Sequence, residues 1–317
     1  MDLTKHGFLP DHMIEQMIDV GMIFSDSRNG IDRENDIQCS TLQPTIGDKS
    51  QSFVLNRGDR EVVQLNEGLR LPEGYTVYPD TRSTFAKVDV EAKLVTANGK
   101  PIPLGYDGKL WAEITTDSFN VRVHPGMALN QVRFLYGDLE DCRIPAKDLV
   151  NPEGGAYLLS ANRGVRMGLG LHTDDGAVVG YVTKETEKVL DLAGGNPRDD
   201  FFDEIRSCFS LVSSNKLYLF WTDEALDFKD AGVPFICEMP RMNPSNDFPV
   251  NRASFIECRS WPSRKALEIR PSAGYILQHG EGICNIYCYS LVGEPIRSYG
   301  TDNGNHNLTR LLPGIIV

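Results

Sequence analysis

Short apolar or alternating segments recur along the chain at roughly ten-residue intervals, and this rhythm limits the fold more than any other feature. Phe53-Val54-Leu55, Val62-Val63-Gln64-Leu65, Tyr75-Thr76-Val77-Tyr78, Ala92-Lys93-Leu94-Val95, Leu110 to Ile114, Asn120-Val121-Arg122-Val123 and Gln131-Val132-Arg133-Phe134 each have the length and branching of a strand. Asn56-Arg57-Gly58, Pro72-Glu73-Gly74, Asn98-Gly99 and Pro125-Gly126 break the chain between them with turn-forming residues. Many short, evenly spaced strands predict a mainly β chain of sandwich or barrel type with a few short helices. Neither a GxGxxG fingerprint nor a Walker glycine loop points to a nucleotide-binding α/β sheet. One helix is expected at residues 9–21, with Asp11 as N-cap, Ile14, Met17 and Ile18 as its apolar stripe and Gly21 as its stop. A second short amphipathic helix is expected around residues 199–207.

At 317 residues the chain exceeds the usual single-domain length. Residues 142–161 concentrate Pro, Gly and charge without apolar periodicity, so the expected division is into modules 1–155 and 156–317. The halves echo one another. Trp111-Ala112-Glu113-Ile114 is followed by strand, Gly-centred turn and strand, and so is Ala266-Leu267-Glu268-Ile269, which reads as two copies of one β module.

Charge narrows the ligand. A net charge of -12 repels a nucleic-acid polymer in bulk, so any phosphate must be held by a local cationic cluster, and a free nucleotide fits better. With no apolar run of spanning length and no signal peptide at Met1-Asp2-Leu3-Thr4-Lys5, the expectation is a cytoplasmic protein without membrane contact. The seven scattered cysteines read as reduced, mostly buried thiols. Cys284 and Cys288 share one strand face, where packing is favoured over metal ligation. No His-x-Glu with a later Pro-Cys-x-x-Cys is present, so the zinc arrangement of nucleoside deaminases is not expected, and His124, His172, His279 and His306 form no ligand spacing.

The candidate chemistry lies between Asp80 and Glu113. Arg82-Ser83-Thr84-Phe85-Ala86-Lys87 sets two cations and two hydroxyls within one short knot, a donor set suited to several phosphate oxygens. The Tyr106-Asp107-Gly108 turn then leads into a strand with one carboxylate, Glu113, among apolar neighbours, where burial raises proton affinity. The residues alone indicate a nucleotide or another phosphorylated small molecule. The competing reading of Glu113 is a salt bridge to Lys109 or Arg133.

At these residues the sequence resembles the dCTP deaminase branch of the dUTPase-like superfamily, in its long bacterial form with two fused dUTPase-like domains. Gly7-Phe8-Leu9-Pro10-Asp11-His12-Met13-Ile14, Ile37-Gln38-x-Ser40-x-Leu42, Arg82-Ser83-Thr84-x-x-Lys87-x-Asp89-Val90 and Ile102-Pro103-x-Gly105-Tyr106-x-Gly108-x-Leu110-x-Ala112-Glu113-Ile114 carry the resemblance in the first half. Leu267-Glu268-Ile269-Arg270, Leu277-Gln278-His279-Gly280 and Tyr299-Gly300 carry it in the second. Lys87 stands where the family usually has Arg, which keeps the charge and loses the fork.

The resemblance implies tandem dUTPase-like modules of β-clip type closing round a threefold axis, hence a homotrimer. It also implies Mg²⁺ travelling with the nucleotide triphosphate, and zinc-free hydrolytic deamination at C4 of the cytosine of dCTP. Only the first half keeps the phosphate motif, and where the first half has Pro103 before the catalytic strand the second supplies Glu257. The expected site is therefore composite: Arg82, Ser83, Thr84 and Lys87 hold phosphate while Glu268, helped by Glu257, does the chemistry. Glu113 is a structural remnant or the centre of a second site. Tyr106 and Trp261 complete the substrate-contacting set, Trp261 by stacking on the base. The alternatives are a dUTPase-type pyrophosphatase and a non-catalytic nucleotide-binding or regulatory homologue.

Overall fold

The computed structural model describes residues 5–48, 50–145, 157–158, 164–171, 176–206, 209–225, 233–239, 251–257, 264–297 and 310–317. In the first half the elements are β1 (Gly7–Phe8), α1 (Asp11–Asp19), β2 (Ile23–Ser25), α2 (Arg33–Asp36), β3 (Phe53–Leu55), β4 (Arg60–Arg70), β5 (Tyr75–Thr81), α3 (Ser83–Ala86), β6 (Val90–Val95), β7 (Asp107–Thr116), β8 (Asn120–Val123) and β9 (Asn130–Tyr136). After a single 3-10 turn at Glu140–Cys142 come β10 (Arg143–Ile144), β11 (Tyr157–Leu158), β12 (Val165–Gly170), β13 (Gly180–Thr183), β14 (Val189–Asp191), α4 (Arg198–Phe201), β15 (Phe202–Ile205) and β16 (Phe209–Val212). β17 (Tyr218–Thr222), β18 (Phe235–Glu238), β19 (Phe255–Ile256), β20 (Ala266–Ile269), β21 (Tyr275–Gln278) and β22 (Gly282–Ser290) complete the chain. It is mainly β with a few short helices, as the strand rhythm predicts.

Side-chain alternation decides the pairing in the first half. β7 buries Leu110, Ala112 and Ile114 and turns Trp111, Glu113 and Thr115 to its half-open face, and it sits between β4 and β6 in a sheet ordered β2-β4-β7-β6. β9 lies between β1 and β5, pairing Thr81 with Asn130 at one end and Tyr75 with Tyr136 at the other. In the second half one large sheet runs β15-β13-β17-β12-β22-β18-β19, with β10, β11 and β20 paired onto it.

The halves do not keep to themselves. β14 from the second half lies parallel to β8 of the first and completes the sheet β14-β8-β3, while Arg143 and Ile144 pair with Tyr289 and Cys288. Leu190, Leu192, Phe201 and Phe202 belong to the core of the first half, where Phe119 meets both phenylalanine rings edge-on. A smaller cluster of Phe8, Cys39, Leu135, Cys142, Ile236, Tyr289 and Leu291 bridges the two. Among the described residues no helix is long and apolar enough to cross a membrane.

Three local expectations change, and one short helix is new. Pro10, extended and without a side-chain cap bond, is the N-cap of α1, and Asp11 is its first helical residue. The Asp11 carboxylate is drawn away from capping because it accepts the backbone N–H of Ile296 at 2.9 Å and of Arg297 at 2.5 Å, tying the helix start to the far end of the chain. The helix expected around 199–207 is one turn, Arg198–Phe201; Phe202–Ile205 is drawn into strand by pairing with β13. α2 at Arg33–Asp36 has no apolar period to announce it and is capped by the Asp32 carboxylate. Cys39 is disulfide-bonded, whereas Cys142, Cys237, Cys284 and Cys288 are buried free thiols. Cys208 lies outside the described residues, as do Cys258, Trp261, His172, His306 and Tyr299-Gly300.

Candidate active site

The Arg82-to-Lys87 knot is folded as the end of β5, the single turn α3 and a sharp exit into β6. Asp80, at the end of β5, is fully buried, and its Oδ2 accepts the N–H of Ser254 at 2.7 Å and of Phe255 at 2.9 Å and the Ser254 hydroxyl at 3.3 Å. That staple brings a segment more than a hundred and seventy positions away onto the knot. Arg82 caps α3 with extended backbone; its Nη1 donates to the Ala128 carbonyl at 3.0 Å and its guanidinium lies 5.9 Å from the centre of the Phe85 ring. Ser83 and Thr84 form the first turn and are half-buried, while Phe85 and Ala86 point into the core.

Lys87 closes the turn, its N–H donating to the Ser83 carbonyl at 3.1 Å. Burial lowers the proton affinity of its amine, and the carboxylate that opposes this effect is Glu268. Asp89 then takes a left-handed backbone, φ 64°, and sends its buried carboxylate back across to the other half. Its Oδ1 lies 2.9 Å from Arg252 Nε, and its Oδ2 meets Arg270 Nη1 and accepts the Ser118 hydroxyl at 2.5 Å.

Glu268 stands on β20, opposite Leu219 of β17, with 3% of its surface exposed. Its Oε2 accepts two backbone donors, Arg252 N–H at 2.9 Å and Ala253 N–H at 3.0 Å. Desolvation pushes its carboxyl up to about 7, and the Asp80 charge adds to the rise, while the Ala253 N–H, the Lys87 ammonium and the Arg252 N–H pull the other way. A carboxyl poised there is half-charged at neutral pH, the condition for exchanging protons with a bound substrate.

The remaining predicted residues separate. Glu113 is on the half-open face of β7, 3.3 Å from the exposed Arg60 guanidinium; the ion pair expected with Lys109 or Arg133 is replaced by this one because Arg60 stands on the neighbouring strand. Lys109 instead reaches Asp26 at 2.7 Å and the Asn66 carbonyl at 2.8 Å. Arg133 is buried against β18 and β19, donating to the carbonyls of Cys237 at 3.2 Å and Ile256 at 3.0 Å and lying over the Phe255 ring. Glu257 joins it: one oxygen accepts the Ser40 hydroxyl at 2.8 Å and the other is 3.7 Å from Arg133 Nη2. Tyr106 is turned onto its own hairpin, its hydroxyl donating to the Lys109 carbonyl at 2.5 Å.

Asp89 and Arg270 stand inside the motifs that carry the resemblance but are assigned no role there, and Asp80 and Arg252 carry no signal of their own in the sequence. Asp80 and Asp89 merely flank the knot, and their partners become partners only once the halves meet. Among the described residues no group of three or more His, Cys, Asp and Glu is placed to hold a metal ion.

Two family models match the chain. The N-terminal domain of 2'-deoxycytidine 5'-triphosphate deaminase matches residues 48–138, and the C-terminal domain of the same enzyme matches residues 143–312, more than half of the sequence. No curated protein sequence matches. Among solved structures, the crystal structure of 2'-deoxycytidine 5'-triphosphate deaminase from Agrobacterium tumefaciens superposes with a TM-score of 0.77 over 92% of this chain and 99% of that one, at 22% identity, a likeness of fold.

Proposed function

This chain belongs to the family of 2'-deoxycytidine 5'-triphosphate deaminases, and from that premise we propose that the second-half Glu268, set against the first-half knot, hydrolyses the C4 amino group of dCTP to give dUTP and ammonia. The observation that carries this reading is the pairing of one buried carboxyl near neutrality with Lys87 of the phosphate-type motif. Glu113, neutralised by an exposed arginine, has no comparable setting. Neither the pyrophosphatase nor the non-catalytic alternative is favoured.

Both backbone donors fall on Oε2 of Glu268, so Oε1 is the atom assigned to the water. As the water oxygen bonds to C4, Oε1 takes one of its protons and delivers it to ring N3; the second water proton, now on the C4 hydroxyl, is then carried by Oε1 to the amino nitrogen, the C4–N bond breaks with its electron pair leaving on ammonia, and C4 keeps the oxygen as a carbonyl. Arg82, Ser83 and Thr84 hold phosphate oxygens, and Mg²⁺ enters with the triphosphate as part of the substrate. Lys87 stays beside Glu268 and stabilises its charged form, which ties the knot to the base as well as to the phosphate. Glu257 supports the wall through Arg133 and Ser40. Tyr106 shapes the hairpin ahead of β7, and Trp261 remains assigned to the base.

The threefold arrangement and the cytoplasm, where free deoxynucleotides are met, belong to the same reading. Light scattering on the purified protein should give three times the 35.3 kDa chain mass. The deciding assay measures ammonia and pyrophosphate separately from dCTP and dUTP. Ammonia from dCTP, abolished by Glu268→Gln and retained by Glu113→Gln, is the expected result; retained turnover in Glu268→Gln overturns the assignment.

A further inference from the structure

Asp89 combines three features that stability alone would not select. A non-glycine residue with φ 64° occupies the left-handed region, which costs about 1 kcal/mol or more even though Asp tolerates it better than most residues. Its carboxylate is wholly buried. And both of its oxygens are committed across the junction, to Arg252 and to Arg270, with Ser118 beside them and Asp117 pairing with both arginines from its more exposed position. Strain and buried charge held together in this way mark a functional constraint.

What the constraint controls follows from where Arg252 leads. The residue whose side chain Asp89 grips at 2.9 Å is the residue whose own N–H, at 2.9 Å, binds Glu268 Oε2, and the next N–H along, from Ala253, is the second donor. Arg270 is two positions from Glu268 on the same chain direction out of β20. Resting on Glu268 as the base, we propose that Asp89 is a positioning residue for the deamination: by holding Arg252 it keeps two backbone donors on one oxygen of Glu268 and leaves the other aimed at the water.

A bystander charge and a positioning residue are told apart by the direction of a pH shift. The charged groups facing Glu268 are Lys87 and Asp80, and those facing Arg252 are Asp89, Asp117 and, at 4.0 Å, Glu91. Removing the Asp89 charge while leaving the geometry intact makes the surroundings more positive, favours the carboxylate and moves the acid limb of the rate profile to lower pH. Releasing Arg252 withdraws two N–H donors from the carboxylate and moves that limb to higher pH.

The test compares Asp89→Gly, which keeps the left-handed backbone and removes the grip, with Asp89→Asn, which also tolerates that backbone and keeps one acceptor. Expected for Asp89→Gly are a fall in kcat of about 10- to 100-fold with little change in KM for dCTP, and an acid limb moved upward. Asp89→Asn should fall between it and the parent. Unchanged kcat, or a limb that stays or moves to lower pH, overturns the inference, and should Asp89→Gly fail to fold, the same two readings on Asp89→Asn decide. Glu268→Gln is run alongside: activity surviving there defeats the assignment of the base, whereas an inactive Glu268→Gln with normal Asp89 variants defeats the positioning role alone.

Discussion

A single carboxyl sits where its solvation and its chemistry conflict. The fold makes Glu268 costly to ionise, and the sign of that cost is checkable. Because its folded proton affinity lies near 7 and its unfolded affinity near 4.5, the folded state holds the extra proton between those values, and stability is lost as pH rises through that window. Glu268→Gln should therefore melt at a higher temperature than the parent at pH 8 and at nearly the same temperature at pH 4, while its turnover falls by about 10²- to 10⁴-fold. Calorimetry at the two pH values together with an ammonia assay measures both. In the parent, turnover should drop as pH falls below about 7, where the base becomes protonated. The sequence identified both Glu113 and Glu268 from the same apolar-Glu-Ile pattern but did not rank them by environment. Their difference is what covers the second face of the strand: the segment from Asn251 to Glu257 over β20, and solvent with Arg60 over β7.

At the scale of elements, the junction is made by charged side chains of first-half strands that reach second-half backbone. Asp80 at the end of β5 holds Ser254 and Phe255, and replacing it with Asn leaves a poorer acceptor for two buried N–H groups, a loss of about 1–3 kcal/mol to be read from urea denaturation. Arg133 of β9 reaches β18 and β19 and leaves Glu257 buried when removed, so Arg133→Met should cost about 3–5 kcal/mol, and the double change Arg133→Met with Glu257→Met clearly less. The first-half strands were legible because one face of each meets the core and the other meets water, giving a period of two. β15 was not, since its register with β13 is what makes Phe202–Ile205 extended where the local sequence reads as helix. The knot was legible as a donor cluster; its descent into a one-turn helix against Glu268 required the other half of the chain.

On the scale of the whole molecule, the two sequence halves share one body of packing. The first-half core includes Leu190, Leu192, Phe201 and Phe202, and β8 has β14 as one of its two neighbours. A fragment ending at residue 155 should lack cooperative unfolding in calorimetry and dispersion in its amide spectrum, and mixing it with the complementary fragment should recover both. The echo of strand and turn is a pattern of the sequence, but the crossing of β14 left no trace there, because a three-residue parallel strand is too short a pattern to recognise.

That crossing also sets an order of events during synthesis. When β8 leaves the ribosome, its outer edge has nothing to bind until some seventy further residues have followed, since Asn120 waits for Val189. A nascent chain arrested before residue 189 thus presents β8 with one edge unpaired and a first-half core still lacking Leu190, Leu192, Phe201 and Phe202.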